Sequence, residues 1–318
     1  MLGRLIVDLW KHGVRKTLES EPWRESAVER IAGARGAKVV PLDGVNSLVS
    51  GRHGWFLANE YDLYLGRALI VYGEYAELEH EFLRSLLHPG DRVVEIGANI
   101  GSHTVGLAKT VGPSGGMVAI EPQPSIFRVL CANLALNGLT NVTPLALGCG
   151  RQKGTLQAPA VDYHVRQPHN SGGVSLEPSG QGIAVDVVPL DELLRPDFGA
   201  RLLKIDVEGM ERDVLEGARR LIETGRPLLY VENDRADKSK ELIDWIMAAG
   251  YRLWWHAPPL FNPQNFFGVS DNLYPSIVSL NMLCVPKQTD LPVTGTLQEV
   301  TDPGWHPFAA QQPAQPGN

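Results

Sequence analysis

Residues 93–104 read VVEIGANIGSHT, and the architecture of the chain follows from them. Arg92–Ile96 is a short β-rich run that follows Pro89-Gly90-Asp91 and ends at Gly97. A helix over Gly101–Thr110 follows after a turn of only four residues. The same unit of strand, short turn and helix recurs downstream. Met117–Ile120 reads as a second strand, and Pro124, whose fixed φ suits a first helical turn, opens a helix with Ile126, Phe127, Leu130 and Leu134 on one face. That helix stops at Gly138, a residue that accepts the left-handed backbone of a helix end. Val142–Leu147 and Leu202–Ile205 are the third and fourth strands, and Met210, Val214, Ala218 and Leu221 stripe the next helix. Pro227–Val231 is the fifth strand, a helix over Asp237–Ala249 closes on Gly250, and Tyr251–Trp255 and Ile277–Val285 supply two more strands. Seven strands interleaved with helices predict an α/β fold with a doubly wound, mostly parallel, Rossmann-like sheet.

Outside this core the pattern changes. Residues 1–50 lean towards helix and predict an N-terminal extension, a cap, dimer element or surface anchor, preceding a main domain over 51–287. Gly54–Tyr75 alternates aromatic and aliphatic residues with polar ones and reads as short strands or a hairpin. Residues 151–190 interrupt the alternation and predict an insertion carrying a small hairpin, placed to serve as a lid. Residues 288–318, which end in QQPAQPGN, predict a disordered tail. No internal repeat is present.

Composition narrows the classes. The 318 residues are 43% hydrophobic and 20% charged, enough for a sizeable core. A net charge of −7 without a basic block excludes a duplex nucleic acid partner, which needs clustered Lys and Arg. No apolar run approaches the roughly 20 residues of a membrane span. The start MLGRLIVDLWKHGVRK is broken by Asp8 and is not read as a signal peptide. Cys131, Cys149 and Cys284 form no CxxC pair and predict inert thiols in a reducing cytoplasm.

In open α/β sheets ligands sit beyond the carboxyl ends of the strands, where the strand order reverses. Four strand ends here carry suitable groups. Glu95, Gly97, Asn99 and Gly101 follow strand one, and Glu121 ends strand two, 24 residues after Gly97. An acidic side chain at that place accepts hydrogen bonds from both ribose hydroxyls. Gly148 follows strand three, where an adenine edge meets backbone, and Asp206 and Glu208 in KIDVEG end strand four. A nicotinamide dinucleotide wants G-x-G-x-x-G, but Asn99 and Ser102 stand at two of the three glycine positions. S-adenosylmethionine has no phosphate and carries a sulfonium and an ammonium, which acidic groups such as Glu95, Glu121 and Asp206 favour.

The segments YGEYAELE (72–79), VVEIGANIGSHTVGLA, AIEPQPSIFRVLCANLALNGL, LLKIDVEGMERDVLEGA and SLNMLCVP together resemble the FkbM family of S-adenosylmethionine-dependent methyltransferases over residues 54–287. The resemblance implies a seven-stranded class I methyltransferase fold and O-methylation of a hydroxyl on a sugar, glycan or secondary metabolite, without fixing the acceptor. Rival readings are a nicotinamide oxidoreductase and a methyltransferase-like binding protein without turnover. A homo-oligomer is compatible with the sequence.

The candidate residues follow. Glu95, Gly97, Asn99, Gly101, Glu121, Gly148 and Asp206 are expected to hold the donor. Asp206 or His256 is expected to take the acceptor's proton, His256 because an imidazole titrates near neutral pH. Glu74, Asn170, Glu208 and Asn265 are candidates for acceptor contact. His103 is expected to pack, while His164 and His169 fall in the insertion. The aromatic, Asn-rich loop PPLFNPQNFFG after His256 could form a carbohydrate-binding wall. Cation-dependent O-methyltransferases of this fold hold a metal with an Asp after strand four and an Asp-Asn pair after strand five. Asp206, Glu232 and Asn233 occupy similar places with the hard oxygens that Mg²⁺ takes, but Glu for Asp lengthens one arm, so no metal is expected.

Overall fold

A computed structural model describes residues 38–42, 44–160, 166–195, 197–291 and 297–308. Its centre is a sheet of β4 (Arg92–Ile96), β5 (Gly116–Ile120), β6 (Val142–Leu145), β10 (Leu202–Ile205), β11 (Leu228–Glu232), β12 (Tyr251–His256), β13 (Asn281–Pro286) and the two-residue β14 (Gln298–Glu299). The spatial order is β14-β12-β13-β11-β10-β4-β5-β6. Renumbered along the chain without the short edge strand, this is 3-2-1-4-5-7-6, with all pairs parallel except those made by β13. The chain runs outward from β4 through β5 to β6, then returns to the other side at β10. The order therefore reverses between β4 and β10, and a crevice opens there at the carboxyl ends. This is the Rossmann-like class I methyltransferase architecture expected from the sequence.

The strands are apolar because both faces are covered. Val94, Ile96, Leu203 and Ile205 pack on one side, and Val93, Ala119, Leu202 and Tyr230 on the other, all at most 1% exposed. Lys204 breaks this rule: it sits within β10 yet is 2% exposed.

Several boundaries differ from expectation, each for a local reason. The extension over residues 1–50 lies mostly outside the described residues, and its described end is strand rather than helix. There β1 (Val39–Pro41), β2 (Asn46–Ser50) and β3 (Trp55–Asn59) form an antiparallel sheet. Gly54–Tyr75 is strand only in its first part, for Leu65–Tyr72 is a helix. Asp62 Oδ1 accepts the Tyr64 and Leu65 N–H groups at its start, and Gly73 closes it in the left-handed region at φ 72°. The stripe from Met210 to Leu221 is split into helices Glu211–Gly217 and Arg219–Gly225, joined at the buried Ala218. The last core strand starts at Asn281, not Ile277, so residues 277–280 stay irregular.

Within 151–190 the hairpin is β8 (Gly154–Ala158) with β9 (Ile183–Val188), and β7 (Gly148–Cys149) joins β9 in a separate three-stranded sheet. In the segment expected to be a disordered tail, β14 pairs with β12, and His306 Nε2 lies 3.0 Å from the Asn233 carbonyl oxygen. Residues 309–318 and His164 lie outside the described residues. Among the described residues no helix is long and apolar enough to cross a membrane.

Candidate active site

A cavity of about 710 Å³ opens at the carboxyl ends of β4, β5, β10 and β11, the size of a small-molecule site. Its floor is the turn after β4. Gly97 has φ 86°, and a side chain there would put Cβ 1.8 Å from the Asp206 carbonyl oxygen. The glycine thus serves the close approach of two backbone segments, β4's turn and β10's exit. Asn99, also left-handed at φ 50°, presents its N–H to Glu121 Oε2 at 3.0 Å, and the Gln123 N–H reaches Glu121 Oε1 at 2.8 Å. Glu121 is 3% exposed, and burial pushes its carboxyl up to about 7 against those two bonds. Each oxygen keeps a lone pair for a further donor.

The mouth of β10 holds a buried charge network. Lys204 Nζ lies 3.1 Å from Asp206 Oδ2 and 3.8 Å from Glu95 Oε1. Burial works against its ammonium, but the carboxylates of Asp206, Glu95 and Glu79 more than offset this and raise its pKa. Glu95 is fixed from its other oxygen by the Thr104 hydroxyl at 2.6 Å. Glu208, left-handed at φ 54°, pairs with Arg235 at 2.5 Å. Non-glycine residues in that region carry strain, which concentrates at functional sites. Oxygens of Asp206, Glu208 and Glu232 lie within 4.8 Å of one another. Burial and this mutual repulsion raise the carboxyl pKa of Glu208 to about 7 and that of Glu232 well above the usual range.

The insertion supplies a wall. Asn170 Oδ1 accepts the Gly172 and Gly173 N–H groups, Gln123 Nε2 donates to the Ser171 carbonyl at 3.0 Å, and the Ser171 hydroxyl bonds Asp62. Beyond β10 the cavity is lined by Tyr64, Tyr75, Leu260, Val278 and Ser279, with Glu79 and His103 beneath them.

Of the expected residues, Glu95, Gly97, Asn99, Glu121, Gly148 and Asp206 line the cavity, joined by Asn170, Glu208 and Glu232. Five others do not reach it. His256 faces away, its Nδ1 2.8 Å from the Tyr230 hydroxyl and its ring 4.2 Å from Phe82, and burial lowers its pKa to about 4. Glu74 is spent on Arg52, Asn262 and the Phe266 N–H. Asn265 ties its own loop at Asn262 and Val269. Gly101 stands at the start of the Ser102–Val111 helix, where a side chain would meet Leu130. Asn233 donates Nδ2 to Ser239 and Met282 and does not line the cavity, whereas Glu208 lies beside Asp206 and Glu232. Of the Phe/Asn loop only Leu260 lines the cavity, so it is no wall of this site. His169 lies outside the lining, while His103, expected only to pack, is part of it.

Sequence reading missed Lys204, Glu79, Tyr75 and Ser279. A lysine among β-branched and leucine residues in LLKID was the one available signal, because a charge inside a buried strand needs a partner.

The strand order and the cavity at its switch point define a class I methyltransferase fold. A family model described as the methyltransferase FkbM domain matches residues 95–253, half of the chain, and the chain belongs to that family. It is 29% identical to methyltransferase 1 of Beauveria bassiana, over 39% of this chain and 57% of that protein. It is 33% identical to methyltransferase sdnD of Sordaria araneosa, over 39% of this chain and 59% of that one. The match thus spans less than two thirds of either relative. Among solved structures, the methyltransferase FkbM of Methylobacillus flagellatus is 16% identical with a TM-score of 0.42, covering 88% of this chain and 60% of the other.

Proposed function

We propose that the protein is an S-adenosylmethionine-dependent methyltransferase acting on a hydroxyl of a small molecule or glycan. The charge of the cavity carries this reading. Glu79, Glu95, Glu121, Asp206, Glu208 and Asp234 line it, beside Glu232 with its raised pKa, against one lysine among the described residues, Lys204. Such a wall attracts a cationic ligand and repels a pyrophosphate. Glu121, preset by two backbone N–H groups and with lone pairs to spare, suits a vicinal ribose diol. The turn at Asn99 and the backbone at Gly148 complete a donor pocket on the β5 side, with Asp206 at its inner end. The Tyr64, Tyr75 and Ser279 side is left for the acceptor.

When bound, the donor supplies a methyl group activated on a sulfonium. The chain's own contribution is alignment of donor and acceptor, exclusion of water and removal of a proton. His256 takes no part in that removal, being turned from the cavity.

The experiment is incubation of the purified protein with methyl-labelled donor and a fractionated metabolite extract of the producing cells. The expected result is the mass gain of one methyl group on a hydroxyl compound in one fraction, with micromolar binding of S-adenosylhomocysteine. Binding of NADH without S-adenosylhomocysteine would replace this reading with a nicotinamide oxidoreductase. Donor binding without any labelled product across the fractions would favour a binding protein.

A further inference from the structure

Glu79 lies in the first turn of the Glu77–Ser85 helix, is 3% exposed and lines the cavity on its acceptor side. Its Oε2 accepts the Ser279 hydroxyl at 2.6 Å. Its Oε1 faces His103 Nε2 at 3.7 Å, too far for a hydrogen bond. The other carboxylates of the cavity stand elsewhere or are paired: Glu95 bonds Thr104, Asp206 pairs with Lys204, Glu208 and Asp234 with Arg235, and Glu121 is held by backbone N–H groups on the donor side. Glu232 has a buried oxygen without a hydrogen-bond partner among the described residues, but it belongs to the close cluster with Asp206 and Glu208, and burial together with their repulsion raises its carboxyl well above the usual range. We propose that Glu79 is the general base that takes the acceptor's proton, with Ser279 positioning its carboxylate; this rests on the methyl-transfer reading above.

The surroundings are tuned for the task. Burial pushes the Glu79 carboxyl up to about 7, Lys204 and Ser279 oppose the rise, and Asp206 and Glu95 add to it. Tyr75 and Tyr230 also face it, both held neutral by burial. His103 is kept uncharged by burial and by Lys204, and behind it His80 Nδ1 lies 3.3 Å from His103 Nδ1, itself uncharged through burial. An imidazolium beside Glu79 would drag its pKa down into the ordinary carboxylate range, where it would be a poor base. Gly106 makes room for this neutral pair. A Cβ there would stand 2.2 Å from His80 Nε2, and a glycine inside a helix is otherwise a cost.

The acceptor oxygen forms a bond to the methyl carbon while its proton passes to Glu79 Oε1. The carbon–sulfur bond breaks and its electron pair returns to sulfur, giving neutral thioether product. The proton leaves Glu79 for water when the products depart.

The test compares wild type, Glu79→Gln and Ser279→Ala, each first checked for S-adenosylhomocysteine binding by calorimetry. Binding within about twofold of wild type is expected for both variants. With the labelled acceptor fraction, Glu79→Gln should lose on the order of 10²–10⁴-fold in kcat and its rise with pH. In wild type that rise should have its midpoint near 7. Ser279→Ala removes a bond to the charged carboxylate and should move the midpoint to higher pH, with a smaller loss of kcat than Glu79→Gln. Carbon-13 NMR of the glutamate carboxyls, assigned with Glu79→Gln, should show the same midpoint. Full kcat in Glu79→Gln, or a Glu79 midpoint below 5, overturns the proposal alone. Failure of wild type to bind S-adenosylhomocysteine overturns the reading of function, and the base with it.

Discussion

Glu121 and His256 both end parallel strands of one sheet, at the same edge, and meet opposite fates. β5 lies one strand from β4, beside the reversal of strand order, and Glu121 opens into the cavity. β12 lies three strands from β10, roughly 14 Å across at about 4.8 Å per strand. There His256 finds Tyr230 and Phe82 instead of a crevice. A polar residue at a strand end is therefore a site residue only within reach of the switch point. Beyond it, the same position becomes a place to pack an aromatic ring.

This contrast can be broken most sharply at the centre of the cavity. Lys204→Met should cost about 3–5 kcal/mol in urea unfolding, because Glu95 and Asp206 would lose their buried cation. His256→Phe, at the other strand end, should cost about 0.5–1.5 kcal/mol, the worth of one neutral hydrogen bond. Equal losses at the two places would erase the distinction.

The pH dependence should also run in opposite directions. The folded pKa of Glu121, about 7, lies above its unfolded value, so the folded state holds the extra proton and this group's contribution declines as pH rises from about 4.5 to 7. The folded pKa of His256, about 4, lies below its unfolded value, so its contribution is lost as pH falls from about 6.5 to 4. Unfolding of Glu121→Gln should show the first slope reduced, and of His256→Phe the second. The smallest expected effect concerns metal. EDTA should leave S-adenosylhomocysteine affinity and the melting temperature unchanged. A rise in melting temperature with added Mg²⁺ that vanishes in Glu232→Gln would instead give the close carboxylates Asp206, Glu208 and Glu232 a cation.

The order of strands and helices was readable because each unit announces itself locally: Gly97 and Gly138 at turns, Pro124 at a helix start, β-branched runs between them. Glu121 was readable for the same reason, through its fixed distance from the glycine turn. The acceptor side was not. Glu79 comes from a helix before β4, Tyr75 from the link that precedes that helix and Ser279 from an irregular segment before β13, brought together only by tertiary packing. Glu74 drew attention five residues too early, because YGEYAELE alone does not say which of its glutamates faces inward. Asp62 and Gly73 likewise converted the end of an alternating stretch into a helix through contacts that alternation does not encode.

The central claim is that Glu121 holds the ribose of a methyl donor at the switch point. Calorimetry with S-adenosylhomocysteine on wild type and Glu121→Ala, near pH 7.5, tests it directly. Wild type should bind with micromolar affinity, Glu121→Ala should lose on the order of 1.5–3 kcal/mol, as for hydrogen bonds to a charged group, and His256→Phe should show no such loss. Unchanged affinity in Glu121→Ala, or an equal loss in His256→Phe, would contradict it.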